Sequence, residues 1–511
     1  LTAQYRILNG APDFDVTRDD DGNYILDLEL TDISSKEPRL WYSQSQQSPQ
    51  IKMYLFNRRN SSDFTPKSAR FDGMQCNPPV EWIIGDRWDQ DDWWLENGAE
   101  AGKLVVKNYL KDGHKIAKDV GKMVKDGSIS AREGADYLYN LLCYMYIGNL
   151  ARINAHDFAL QYNTLLKANK IPVTAGLSSI PDQEPLYDVI NLNNTVFFTS
   201  LQGDSSRYYF PPKGIFAPSE IIPGAHGRVA IMWRKPKERK LVPDGDNYFR
   251  LPAPASVKNR NVTYVDADID GTAMAINRKE IYTGAAKMHA FSILSEEDIN
   301  EGYRKYLSRY GHTVNVKENK KRAAERIERY ADGRKEQKED FKNEINAYHG
   351  DYPSEFIDGK VTSIGINPDS AALVYELSYK MDNLVKRAGN NIILSVGKLF
   401  SDQIELLPSD RERDVEAYFA NPREYVTRIS VGIPSGYTVN ESSLSGINRF
   451  VLNESGAFSA NTTLISPDKI QIDIIKRYNK GIIPVSGWPE MLSVLDMASE
   501  WNNVSILLEK K

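Results

Sequence analysis

The chain holds 511 residues, 41% of them apolar and 26% charged, with a net charge of −5 and a pI near 5.9. That length carries about three or four domains, each able to bury its own core, and an acidic chain lacks the basic surface that neutralises phosphates, so nucleic acid is not an expected partner. Mean hydropathy is −0.49 and no apolar run reaches about 18 residues, which excludes a membrane-spanning helix.

The opening LTAQYRILNG does not read as a signal peptide, and the expectation is that a leader has been removed or that the chain belongs to something longer. Residues 1–95 read as a β-rich region. In DDDGNYILDLEL (19–30) the turn signal Asp21-Gly22 precedes an alternation that places Tyr24, Leu26 and Leu28 on one face, and IKMYLF (51–56) is a further strand. WIIGDRWDQDDWW then gathers Trp82, Trp88, Trp93 and Trp94. These indoles read as anchors packed at a junction, with sugar stacking as the functional alternative.

Residues 101–170 read as helices. Ile116, Val120 and Met123 recur at helical spacing, and Ser130-Ala-Arg-Glu133 is a capping box opening an apolar, central helix through Leu141, Leu142 and Met145. A third helix opens at the cap Asn154, runs through Phe158, Tyr162, Leu165 and Leu166, and stops before Pro172. Short strands follow in IPVTAGL, TVFFTSL and RYYF. KPKERK and PAPA mark a connection over 235–260, VTYVDADIDGTAMAI (262–276) reads as a hairpin, and 297–348 as helix with a solvated face of mixed charge, as in Glu325 and Arg329. From about 360 strands dominate again, with clean alternation in IQIDI (470–474) and a closing VSILLE (504–509).

NAHDFALQYNTLLKANKIPVTAG (154–176) resembles the nucleophile helix of the transglutaminase-like superfamily, and TVFFTSLQGDSSRYYFPPKG (195–214) resembles the two strands that follow it. Asp270-Gly271 in a hairpin, NPREYVTRISVGIPSGY (421–437) and the closing strand resemble a bacterial subfamily in which this core sits between β-rich domains. The resemblance implies an α+β multidomain fold: a papain-like core over 96–234, a β-rich region over 1–95, a hairpin with charged helices over 235–350, and a β-sandwich-like domain over 351–511. It also implies where a catalytic Cys, His and Asp would stand. A thiol at a helix start loses its proton more readily, a His accepts it, and an Asp orients that His. Here those positions hold Ala155, Thr195 and Pro211, and no cysteine follows Cys143.

His156 and Asp157 flank the vacant position as binding candidates; Asp157 also suits a helix N-terminus electrostatically. Cys143 reads as a buried structural thiol. With only Cys76 besides, the chain can make neither a disulfide framework nor a cysteine-rich metal site. Asp266, Asp268, Asp270 and Gly271 spell the opening of a calcium loop, yet Asn277 stands where its twelfth ligand belongs, and a half-buried strand ending in a tight turn fits better. No metal and no cofactor are expected. The expectation is a non-catalytic binding or scaffolding protein of the bacterial cell envelope, periplasmic or at the cell surface by resemblance, with a protein or glycan ligand. The alternatives are a hydrolase using relocated residues such as His156 or Cys143, and a carbohydrate-binding protein built on Trp88, Trp93 and Trp94.

Overall fold

The structure, a computed structural model, describes residues 2–8, 11–12, 15–21, 24–27, 40–43, 47–56, 112–146, 155–179, 186, 195–232, 248–316 and 318–511. Trp82, Trp88, Trp93 and Trp94, with Cys76, lie outside the described residues, so the reading of the indoles is not addressed by it. The chain forms two compact units: unit 1 is Leu1–Pro211 with Ile221–Ala253, and unit 2 is Pro212–Glu220 with Pro254–Lys511. No described helix is long and apolar enough to cross a membrane.

In unit 1, β1 (Thr2–Leu8) pairs with β4 (Gln50–Phe56), and β2 (Asp15–Arg18) forms a hairpin with β3 (Tyr24–Asp27). Three helices follow: α1 (Gly113–Lys125), α2 (Ala131–Tyr146) and α3 (Ala155–Ala168). The capping box forms as expected, with Ser130 N donating to Glu133 at 2.8 Å and Glu133 N to Ser130 Oγ at 3.2 Å. The helix it opens is buried from Gly134 through Met145 and so is the centre of the layer. Its Tyr139 packs edge-on to Phe158 and Tyr162 of α3. Next comes an antiparallel sheet in the order β7-β6-β5-β8-β9, from β5 (Val173–Ser179), β6 (Thr195–Leu201), β7 (Asp204–Tyr209), β8 (Val229–Met232) and β9 (Tyr248–Arg250). A second core, including Val196, Phe198, Tyr208, Phe210 and Leu251, packs together in this sheet region.

Unit 2 is built on an eight-stranded sheet in the order β12-β13-β11-β10-β17-β21-β20-β19. Its first strands are β10 (Arg260–Asp270), β11 (Ala273–Tyr282), β12 (Glu355–Ile364) and β13 (Leu373–Met381). A second sheet takes β14 (Val385–Ala388) and β15 (Asn391–Leu394), and β16 (Ala417–Tyr418) pairs with β22 (Ile482–Ile483). The large sheet continues with β17 (Arg423–Gly432), β19 (Arg449–Leu452), β20 (Gly456–Ser466) and β21 (Lys469–Tyr478), while β18 (Tyr437–Val439) and β23 (Ile506–Lys510) complete the second. The 235–350 and 351–511 stretches share the large sheet, because β10 lies between β11 and, in parallel, β17. Three longer helices belong to this unit: α4 (Glu296–Leu307), α5 (Lys320–His349) and α6 (Trp488–Trp501). The first two pack on β12 and the last on β19 and β20, so the stretch expected as a sandwich also carries a helix against its sheet. The fold is α+β and multidomain.

Two expected elements differ in extent. The helical stretch over 297–348 is broken, because Tyr310 and Gly311 turn with φ of 65° and 74°, and α5 starts afresh at the Asn319 cap. The hairpin expected over 262–276 runs on through Tyr282, and Arg278 and Glu280 in the added stretch are buried.

Candidate functional site

The α3 helix carries the position where the resemblance would place a nucleophile. It begins at Ala155, and its C-terminal turn is closed by Ile171 N donating to Leu166 O at 3.0 Å, with Lys170 at φ 60° ahead of Pro172. From there β5 runs back, Val173 facing Leu201 and Ser179 facing Thr195 on β6. Gln202 N donates to Pro172 O, so the end of α3, the start of β5 and the end of β6 meet at one edge of the layer. The helix has 14 residues, about 21 Å at 1.5 Å each, and the strands seven, about 23 Å. The start of α3 therefore lies at the Thr195 end. Thr199 Oγ1 donates to Asn163 Oδ1 at 3.0 Å, tying the middle of helix and strand together. Asn163 is about 12 Å along the helix from Ala155, and Thr199 about 13 Å along the strand from Thr195. On β7, Tyr209 faces Thr199, and the chain then heads through Phe210 to Pro211, which is buried, toward the same end.

Among the described side chains, that end holds polar and cationic groups. Thr195 is 1% exposed, and its cross-strand neighbour Ser179 accepts a hydrogen bond from Arg228 Nη1 at 3.1 Å. Arg228 is itself held by Gly224 O at 2.9 Å. His156 and Asp157 occupy the first turn of α3, and their side chains lie outside the description. Cys143 forms no disulfide and is 1% exposed on α2, as a structural thiol would be. Asp136, on the same helix, accepts both bonds from Arg207 Nη1, at 2.7 and 2.6 Å, and one from Tyr209 at 2.9 Å. Burial raises the Asp136 carboxyl, against the opposing pull of Arg207. This trio fastens β7 to α2 and leaves the carboxylate no lone task. Sequence reading passed over it, although RYYF alternates, with Arg207 and Tyr209 on one face and Tyr208 and Phe210 on the other.

The calcium-loop alternative gives way to the strand. Asp266, Asp268 and Asp270 alternate along β10, Gly271 takes the turn at φ 68°, and Asn277 pairs with Asp266 across the hairpin. Among the described residues no group of three or more His, Cys, Asp or Glu is placed to hold a metal ion.

No family model matches the chain, and no curated protein is similar enough to count as a match. A solved structure aligned to it is the crystal structure of a "putative protease" from Parabacteroides distasonis, at 9% identity and a TM-score of 0.47, covering 99% of this chain and 70% of that one.

Proposed function

We propose that residues 96–234 form a transglutaminase-like domain without catalytic residues, and that the chain is a non-catalytic binding or scaffolding module of the bacterial cell envelope. What supports this reading is that α3 starts at the Thr195 end of β6, the end at which an active relative would need its nucleophile and base. Alanine, threonine and proline supply no nucleophile, base or orienting acid there. The packing that would hold those groups is retained in Phe158, Tyr162, Val196 and Phe198, all buried. A small apolar residue at the vacant position strands no buried polar atom. A periplasmic or cell-surface place, and a protein or glycan partner, follow from the resemblance. The relocated-residue hydrolase is the weaker reading, because Cys143 is buried and a substrate would have to reach it.

The chain is expected to show no acyl transfer or amide hydrolysis, since loss of a whole triad removes on the order of a millionfold in rate. Activity above blank that vanishes on changing Cys143 or His156 would overturn the reading. Ala155→Cys alone is expected to turn over neither ester nor amide faster than free thiol. Adding Thr195→His to it, in a Cys76→Ser background, should lower the pH midpoint for alkylation of the new thiol by iodoacetamide. An unchanged midpoint would place the two positions out of reach of each other and defeat the alignment.

A further inference from the structure

The outward face of the eight-stranded sheet carries a trough whose shape follows from side-chain length. In one row across the strands stand Glu376, Lys279, Tyr264 and Arg428, which face one another in register on β13, β11, β10 and β17. The next row holds shorter groups: Ser378, Asn277, Asp266 and Ser430, continued by Gln471 on β21. Beyond them Asp268 lies over Gly432, where even a Cβ would fall 2.0 Å from the carboxylate, and Lys469 closes the far side. Long side chains flanking a row of short ones leave a groove of about 490 Å³, within the range of small-molecule sites.

We propose that this trough binds a neutral carbohydrate. The inference is independent of the reading of residues 96–234. Its charge argues for a neutral ligand, because each cation on the rim already has an acid: Lys279 with Glu376 at 3.1 Å, Arg428 with Asp473 at 2.7 Å, and Lys469 with Asp266 at 3.4 Å. The field these pairs leave is too weak to draw an anion. Its polar groups suit hydroxyls, which both donate and accept. Asn277 Oδ1 is taken by Ser378 Oγ at 2.7 Å, which leaves the amide nitrogen to donate. Gln471 Nε2 is spent on Asp473 at 2.7 Å, which leaves its oxygen to accept. The Ser430 hydroxyl is buried at the floor without a hydrogen-bond partner among the described residues, a cost that a ligand hydroxyl would relieve. Tyr264, 40% exposed in the middle of the charged row, offers a ring face for the apolar side of a sugar.

The test is the full chain on an array of neutral and acidic glycans, followed by calorimetric titration with the best neutral oligosaccharides. Binding of a neutral oligosaccharide is expected, unchanged by added salt. It should weaken at least about tenfold in Tyr264→Ala and in Asn277→Leu, with melting temperature unaltered because both side chains are exposed. Three results would overturn the proposal: no neutral glycan bound at millimolar concentration, binding confined to acidic polymers and lost in salt, or binding that survives both substitutions. The last outcome with loss in Trp88→Ala would move sugar binding to the tryptophan segment.

Discussion

Replacing Arg278 by leucine is expected to destabilise unit 2 by about 3–5 kcal/mol, the cost of stripping the partner from buried charge. The Arg278 side chain is 0% exposed. Its guanidinium pairs with Glu344 from α5, sits 3.4 Å from Glu280 as an ion pair without hydrogen-bond geometry, and lies 3.8 Å from the centre of the Tyr348 ring. One cation thus serves two carboxylates beneath the sheet. Leucine would leave both acids in a low dielectric, with only Tyr375 donating to Glu344 at 2.9 Å and Asn261 and Thr263 to Glu280, each at 2.8 Å. The check is urea unfolding of the full chain, following the transition that the substitution moves. Combining Arg278→Leu with Glu344→Leu and Glu280→Gln should recover at least half of the loss, since apolar groups of similar volume often replace a buried ion cluster without penalty. A shift below about 1 kcal/mol for the single variant would place the charge in water rather than in the core.

The same residues mark where reading the sequence stops. Local rules carried far: the Ser130–Glu133 cap, the buried helix behind it, the hairpin turning at Gly271 and the alternation of Ile470, Ile472 and Ile474 all follow from neighbours within one or two turns or strands. The inward placing of Arg278 and Glu280 does not, because it depends on Glu344 arriving from a helix far along the chain. Pattern alone calls such a pair solvent-facing. The parallel pairing of β10 with β17 is hidden for a similar reason, since its register is set by packing between distant segments. At the candidate site, the start of α3 beside the expected Asn154 cap could be read from its spacing. Arg228 beside Ser179 could not, because nothing local links a loop arginine to a strand serine. The trough had its residues in view, but Asp266, Asp268 and Asp270 gained meaning only from the strands beside them.

Two groups in the core of unit 2, Glu280 and His349, are expected to make opposing contributions to its stability between about pH 4.5 and 6.5. Burial raises the Glu280 carboxyl from 4.5 to about 7, with Arg278 pulling the other way. Its folded pKa exceeds its unfolded one, so its contribution is full below about 4.5 and is lost as pH rises through 7. Burial lowers His349 from 6.5 to about 3, helped by Arg278, while its ring bonds Lys398 O at 2.7 Å and Tyr379 Oη at 2.6 Å as a neutral imidazole. Its folded pKa lies below its unfolded one, so its contribution is full above 6.5 and is lost as pH falls through 3. Each slope is about 1.4 kcal/mol per pH unit where its window is open, and the windows overlap with opposite sign. Removing one group should expose the other. In Glu280→Gln, stability should rise with pH from about 3 to 6.5, gaining on the order of 3–5 kcal/mol across the window. In His349→Gln it should instead fall between about 4.5 and 7, by on the order of 3–4 kcal/mol. Urea unfolding of the full chain at half-unit pH steps reads both. Parallel profiles for the parent and the two variants would mean that neither group changes its proton affinity on folding, and that the acids and the imidazole reach water in the native state.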